Sequence, residues 1–333
     1  MRKTSVAVIL GFMSVMAFAA VPMVTDVTAK QRYPWNGLVD ITCNVSGIEG
    51  ATNGLTFAVA AVLPDSGKAR KVRNFWVVQG GTNSTDREVH VNGDYHLIWD
   101  AEANLGIVDY SNMVVRVTLD AHDKVQLWEG GPYWATTNIG AEKPEDYGYY
   151  FWWGDTIGYE WENNRWVASD CSNSNSLIGS IHAPTYYKSI STLQSDGWIV
   201  TKDGIYVLAP EHDAAHIHWG GNWRMPTVQE LSDLNSRCDW TWTTQNGVNG
   251  YIVSGRGKYV SNSIFLPCAR AGWDTSLEYS GSNGSYWSSE PDWYDLCAYE
   301  LWFYSAGHGT SEETLGTARL EGLSVRPVQG FTK

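Results

Sequence analysis

The chain has 333 residues, 43% of them hydrophobic and 13% aromatic, which is ample for packed cores and unlike a disordered polypeptide. A formal charge of −13 with no basic stripe argues against nucleic acid or anionic lipid as partners. The length favours about two domains.

Arg2 and Lys3 precede an apolar run from Val6 to Phe18, and Ala17-Phe18-Ala19 supplies a small-x-small cleavage site. Residues 1–19 therefore read as a secretory signal peptide. The run is short for a membrane anchor, no cysteine follows it for lipid attachment, and nothing later is apolar enough to span a bilayer. The expected location is secreted or cell surface, with no transmembrane segment once the signal is removed.

Residues 24–119 read as a small all-β domain. Leu38 to Val45, Leu55 to Leu63, Phe75 to Val78, Tyr95 to Trp99 and Met113 to Leu119 are short runs of β-branched and aromatic residues separated by Gly, Asn, Asp and Ser clusters. That spacing predicts an immunoglobulin-like or fibronectin-like sandwich. Arg70, Lys71 and Arg73 read as a solvated strand edge that discourages strand pairing.

A boundary is expected at Ala121-His122-Asp123-Lys124, where the composition shifts toward Trp, Tyr and Gly, and residues 120–330 form the second domain. Its aromatic-dense stretches, such as Tyr133-Trp134 and Tyr147 to Asp155, lack a long helical period and read as loops pinned by large rings. The Ser- and Asn-rich span from Cys171 to Ser195 reads as a surface excursion. His212 and His216 would share a face of a helix starting near Pro210, with Glu211 or Asp213 as an oxygen donor. The glutamate that a zincin helix places after its first histidine is missing. The trio reads as structural or exposed, and no metal or cofactor is assigned.

Thr227 followed three residues later by Glu230 is a capping box, so a helix should start there, with Leu231, Leu234 and Cys238 on its apolar face. Arg224, just upstream, is placed to tie several backbone carbonyls together. Ala214-Ala215, Trp219-Gly220, Trp223-Arg224-Met225-Pro226-Thr227 and Glu230 resemble the signature of the Fibrobacter succinogenes major paralogous domain, a family of secreted bacterial proteins. The resemblance resumes at Ile264-Phe265-Leu266-Pro267, Tyr286-Trp287-Ser288-Ser289 and Ser324-Val325-Arg326-Pro327-Val328. It implies an α+β C-type-lectin-like C-terminal domain of the formylglycine-generating-enzyme branch, preceded by the all-β sandwich. That branch also carries the variable binding proteins of diversity-generating retroelements, so residues between Tyr279 and Leu320 would be the diversified ones. Both Cys238 and Cys268 fall inside the resembling core and are expected to form a disulfide, while Cys43 stays free and Cys171 and Cys297 are left open.

The resemblance implies no reaction. Formylglycine-generating enzymes work through reactive cysteines with a metal, but Cys297 has no second cysteine nearby and stands among Asp292, Asp295 and Glu300, which suppress a thiolate. Glu290 with Asp292 could serve a glycosidase, and Glu290-Pro291-Asp292 is similar to the Glu-Pro-Asn motif of calcium-dependent lectins; aspartate replaces the asparagine, and few further oxygens are in view.

The stretch Ala271 to Ala318 contains no Lys or Arg, eight acids, and rings scattered among Ser, Gly, Asn and Asp. That is the composition of a binding surface such as a paratope. If Leu301 and Phe303 point inward along an alternating strand, Glu300, Trp302 and Tyr304 point outward. The expected ligand-binding set is Tyr279, Asn283, Asp292, Trp293, Tyr294, Glu300, Trp302, Tyr304 and His308, recognising a glycan or another protein without catalysis. An enzyme of the formylglycine-generating or glycosidase kind, and a structural cell-surface or adhesion component, are the alternatives.

Overall fold

The computed structural model describes residues 22–33, 36–48, 55–62, 69–72, 74–105, 113–162, 165–169, 183–269, 280–313 and 315–330. The signal-peptide reading of residues 1–19, Cys171 and Tyr279 lie outside them, as do the side chains of Arg70, Lys71 and Arg73. No helix among the described residues is long and apolar enough to cross a membrane.

Residues 23–121 build two antiparallel sheets. One has five strands in the order Met23–Gln31, Leu38–Ser46, Gly93–Asp100, Phe75–Gln79, Thr82–Ser84; in the other, Leu55–Val62 pairs with Ala69–Val72, Glu88–Val89 and Val114–Ala121. Alternation drives the packing: Val39, Ile41, Cys43 and Val45 from one strand and Phe57, Val59 and Ala61 from another are buried in a common core with Trp99. Met23–Gln31 carries none of that apolar alternation. It is mostly solvent-facing, and its pairing with Leu38–Ser46 is broken by a register shift between Thr25 and Thr28, where Asp26 takes φ 54°.

From Lys124 onward the chain forms further, mostly antiparallel sheets, one of them eight-stranded. This corrects the expected fold class. Among the described residues the chain is mostly β, 49% strand and 13% helix with four short helices, a sandwich of antiparallel sheets with no sign of an α+β lectin-like domain. The helices among the described residues, Ala101–Leu105, Ile190–Ser195, Ala214–Trp219 and Val228–Arg237, run five, six, six and ten residues. Helices that short cannot make a layer of their own, so ring packing between strands carries the core. Trp153 and Trp287 brace it in both directions: the Trp153 indole N–H donates to Ser288 O at 2.9 Å, and that of Trp287 to Phe151 O at 2.8 Å.

The helix Val228–Arg237 begins with both arms of the capping box. Thr227 Oγ1 accepts from the Glu230 N–H at 3.2 Å, and Glu230 Oε2 accepts from the Thr227 N–H at 2.9 Å. Leu231, Leu234 and Cys238 are buried. Arg224 forks onto Glu230 at 2.6 and 2.7 Å and also donates to the carbonyls of Met225 and Gly330, joining the helix start to the chain's last strand.

The expected Cys238–Cys268 disulfide is absent; both are buried free thiols, pushed up to about 12 by burial. Register explains it. In the sheet Asp239–Gln245, Val248–Ser254, Ser263–Pro267, Cys238 precedes the Asp239↔Ser254 pair, while the Cys268 N–H bonds to Asn249 O at the other end. Some six residues of strand, roughly 20 Å, separate the two levels. A disulfide needs Cα atoms about 4.4–6.8 Å apart.

Candidate ligand-binding face

Asn283–Pro291, Cys297–Tyr304 and Gly307–Thr310 are consecutive antiparallel strands at one side of the eight-stranded sheet. Residues directly opposite each other project to the same face. One face therefore carries three rows: Tyr304 with Asn283 and Gly307, Trp302 with Ser285 and Gly309, and Glu300 with Trp287. The other carries Leu301 and Phe303, each 1% exposed, with Tyr286 and His308.

The first face is open at one end only. Tyr304 is 44% exposed and Trp302 half-buried, whereas Glu300 is 6% exposed and Trp287 fully covered. The Trp302 and Tyr304 rings are nearly parallel, 13° apart in plane with centroids 6.0 Å apart. Both lean over the neighbouring strand at its glycines. A Cβ on Gly309 would stand 2.9 Å from Trp302 Cζ2, inside any tolerated contact, whereas one on Gly307 would meet the Tyr304 hydroxyl at an ordinary 3.7 Å. Gly309 is thus what lets the indole rest on the sheet. The Tyr251 hydroxyl holds the backbone beneath by donating to Tyr304 O at 3.2 Å.

Of the expected site residues the structure brings together Asn283, Trp302 and Tyr304. Glu300 does not point to solvent: its row lies in the covered half of the face, and its carboxylate accepts a hydrogen bond from the Thr317 hydroxyl. Asp292 is fully buried and accepts from the backbone N–H groups of Tyr294 and Gly316, so it shapes a turn. His308 sits on the opposite face, stacked on Trp240 at 4.3 Å with Nδ1 against Asn235 at 2.5 Å, and burial lowers its pKa. Trp293 and Tyr294 are exposed at 73% and 48%, but they occupy the turn before Cys297. From the Pro291↔Ala298 pair at the base of that turn to Trp302 is four residue steps of strand, roughly 13 Å, so the two ring pairs are separate.

The histidines divide as well. His212 ends a 3-10 turn and stacks on Trp198 at 3.8 Å, Asp213 caps the next helix, and His218 contacts Thr156 O at 2.9 Å. No group of three or more His, Cys, Asp or Glu able to hold a metal comes together among the described residues. Cys297 is buried, its thiol pushed up by burial first and by Asp292 next.

A cleft of about 730 Å³ that the sequence did not reveal lies beside Trp223-Arg224, walled by the hairpin Ile199–Lys202/Ile205–Leu208 and closed by Glu88, Lys124 and Gln329. Only the Gly220-Gly221 pair at its edge hinted at a close approach; a Cβ on either glycine would press on Arg87 or Glu88. Comparison with protein-family models, curated proteins and solved structures returned no match.

Proposed function

We propose that the chain is an exported, non-catalytic binding protein that holds a glycan against Trp302 and Tyr304, with Asn283 beside them. The observation that carries this reading is the pair of nearly parallel rings, 13° apart, resting over Gly309 and Gly307 on an exposed strand. The negative faces of such rings attract the polarised C–H groups of a pyranose, and the Tyr304 hydroxyl and the Asn283 amide offer donors and acceptors for sugar hydroxyls. Export is supported by the leader pattern of residues 1–19. A binding role is further supported by the state of the groups an enzyme would use: Asp292 is spent on backbone N–H groups, Glu290 accepts from Val228 N–H, and Cys297 is held as a thiol. The test is a glycan array probed with the wild type and with Trp302→Ala plus Tyr304→Ala. Retention of wild-type melting with loss of glycan binding supports the reading; unchanged binding overturns it.

A further inference from the structure

Trp302 and Tyr304 lie in one tier, and that narrows the glycan they take. A Cβ built on Gly309 would stand 2.9, 3.2 and 3.6 Å from the Trp302 atoms Cζ2, Cε2 and Cη2. Cε2 and Cη2 are both bonded to Cζ2, and an approach within the ring plane cannot bring a point this close to all three. The face of the indole, rather than its edge, therefore covers Gly309. Tyr304 is tilted only 13° from that plane, and the 6.0 Å between centroids is close to the roughly 6.6 Å that separates same-face residues along a strand. The two rings are thus set side by side, each with one π face turned away from the sheet.

Side-by-side rings in one plane accept two successive pyranoses only if the mean planes of those sugars are also parallel. A β-1,4 linkage between sugars with all-equatorial substituents meets this demand. It is equatorial at both ends, so the chain extends as a flat ribbon, and each sugar, though turned over relative to the last, offers a C–H face to the ring below. An α-1,4 linkage leaves one sugar axially and turns the next out of plane, so only one of the two rings could be covered. The strand also sets where the ribbon stops. Inward from Trp302 the next residue on this face is Glu300, 6% exposed and bonded by the Thr317 hydroxyl, so the platform is closed there. Outward from Tyr304 the strand ends, and Ser305 and Ala306 are exposed.

We infer that the platform takes the two terminal sugars of a β-1,4-linked, all-equatorial glycan, with the rest of the chain leaving over Tyr304. The inference rests on the glycan reading of the same rings. Isothermal titration of the full chain with cellohexaose and maltohexaose compares the two linkages on one sugar, and cellobiose and glucose set the length. Cellohexaose is expected to bind one-to-one and at least tenfold more tightly than maltohexaose. Cellobiose should come within about threefold of cellohexaose, and glucose should bind at least tenfold more weakly than cellobiose. Trp302→Ala and Tyr304→Ala should each cost cellobiose at least tenfold, with melting recorded for both; the linkage comparison on the wild type stands whether or not a variant folds. Maltohexaose bound as well as cellohexaose, more than one protein on each cellohexaose, no gain from glucose to cellobiose, or a loss confined to one of two folded variants would overturn the inference. Binding of other array glycans through these rings without cellohexaose would sink the linkage class alone, whereas binding of no glycan at all would sink the glycan reading with it.

Discussion

Arg326 and Asn138 meet with Nε donating to the Asn138 side-chain oxygen at 2.8 Å, and both residues are buried, at 1% and 0% exposure. The same guanidinium donates to Ala135 O at 3.1 Å and Phe265 O at 2.8 Å, so one planar fork joins three stretches of chain. Burial pulls its pKa down to about 10, still well above neutrality.

Arg326→Lys is expected to destabilise the protein by about 3 kcal/mol or more, because a single ammonium cannot reach all three acceptors and leaves buried oxygens without donors. Urea denaturation of wild type and variant measures it. A lysine variant within about 0.5 kcal/mol of wild type would show that the fork is not needed.

Glu290 gives the fold a pH dependence. Its carboxyl is 8% exposed and raised to about 7, by burial first and then by Glu312 and Glu230, against the bond it accepts from Val228 N–H at 2.8 Å. A carboxyl raised in the folded state favours folding while protonated. Its contribution is fully present below the unfolded value of 4.5 and is lost as pH rises through about 7. Stability should therefore fall between pH 5 and 8 by something on the order of 2–3 kcal/mol. Asp213, raised in the same direction by burial, adds to the fall, whereas Asp40 and Asp196 lie below the usual carboxylate range and act only at more acid pH. Glu290→Gln should raise stability at pH 8 and flatten the profile; an unchanged slope would place the titration elsewhere.

Thiol chemistry should be quiet. Cys43, Cys238, Cys268 and Cys297 are all buried and free, and burial raises every one of these thiols. Alkylating reagent should label them only after denaturation, and dithiothreitol should leave the melting temperature unchanged. A melting point that drops on reduction would point to a disulfide stabilising the fold.

Local signals in the chain were the readable ones. The Thr227–Glu230 box closes within three residues, and the inward Leu301 and Phe303 against the outward Trp302 and Tyr304 follow from strand alternation alone. The same alternation misplaced Glu300, because what covers that end of the face, Thr317 and the strands beyond it, comes from elsewhere in the sequence. Asp292 looked like a ligand by composition, and only the folded turn shows its oxygens taken by Tyr294 and Gly316. The strand Met23–Gln31 went unread because it is polar and lies at a sheet edge, and the α+β expectation rested on resemblance in a domain whose own residues read as ring-pinned loops without a long helical period. The cleft could not be read at all: Glu88, Lys202, Arg224 and Gln329 are brought together from four distant segments.

Trp302 lies flat where Gly309 leaves room for it, and Gly309→Val tests the platform most directly. The variant keeps both rings but sets side-chain atoms where the indole rests, so glycan-array binding should fall at least tenfold with melting within a few degrees of wild type. Undiminished glycan binding by a folded Gly309→Val protein would contradict the ring platform as the recognition surface.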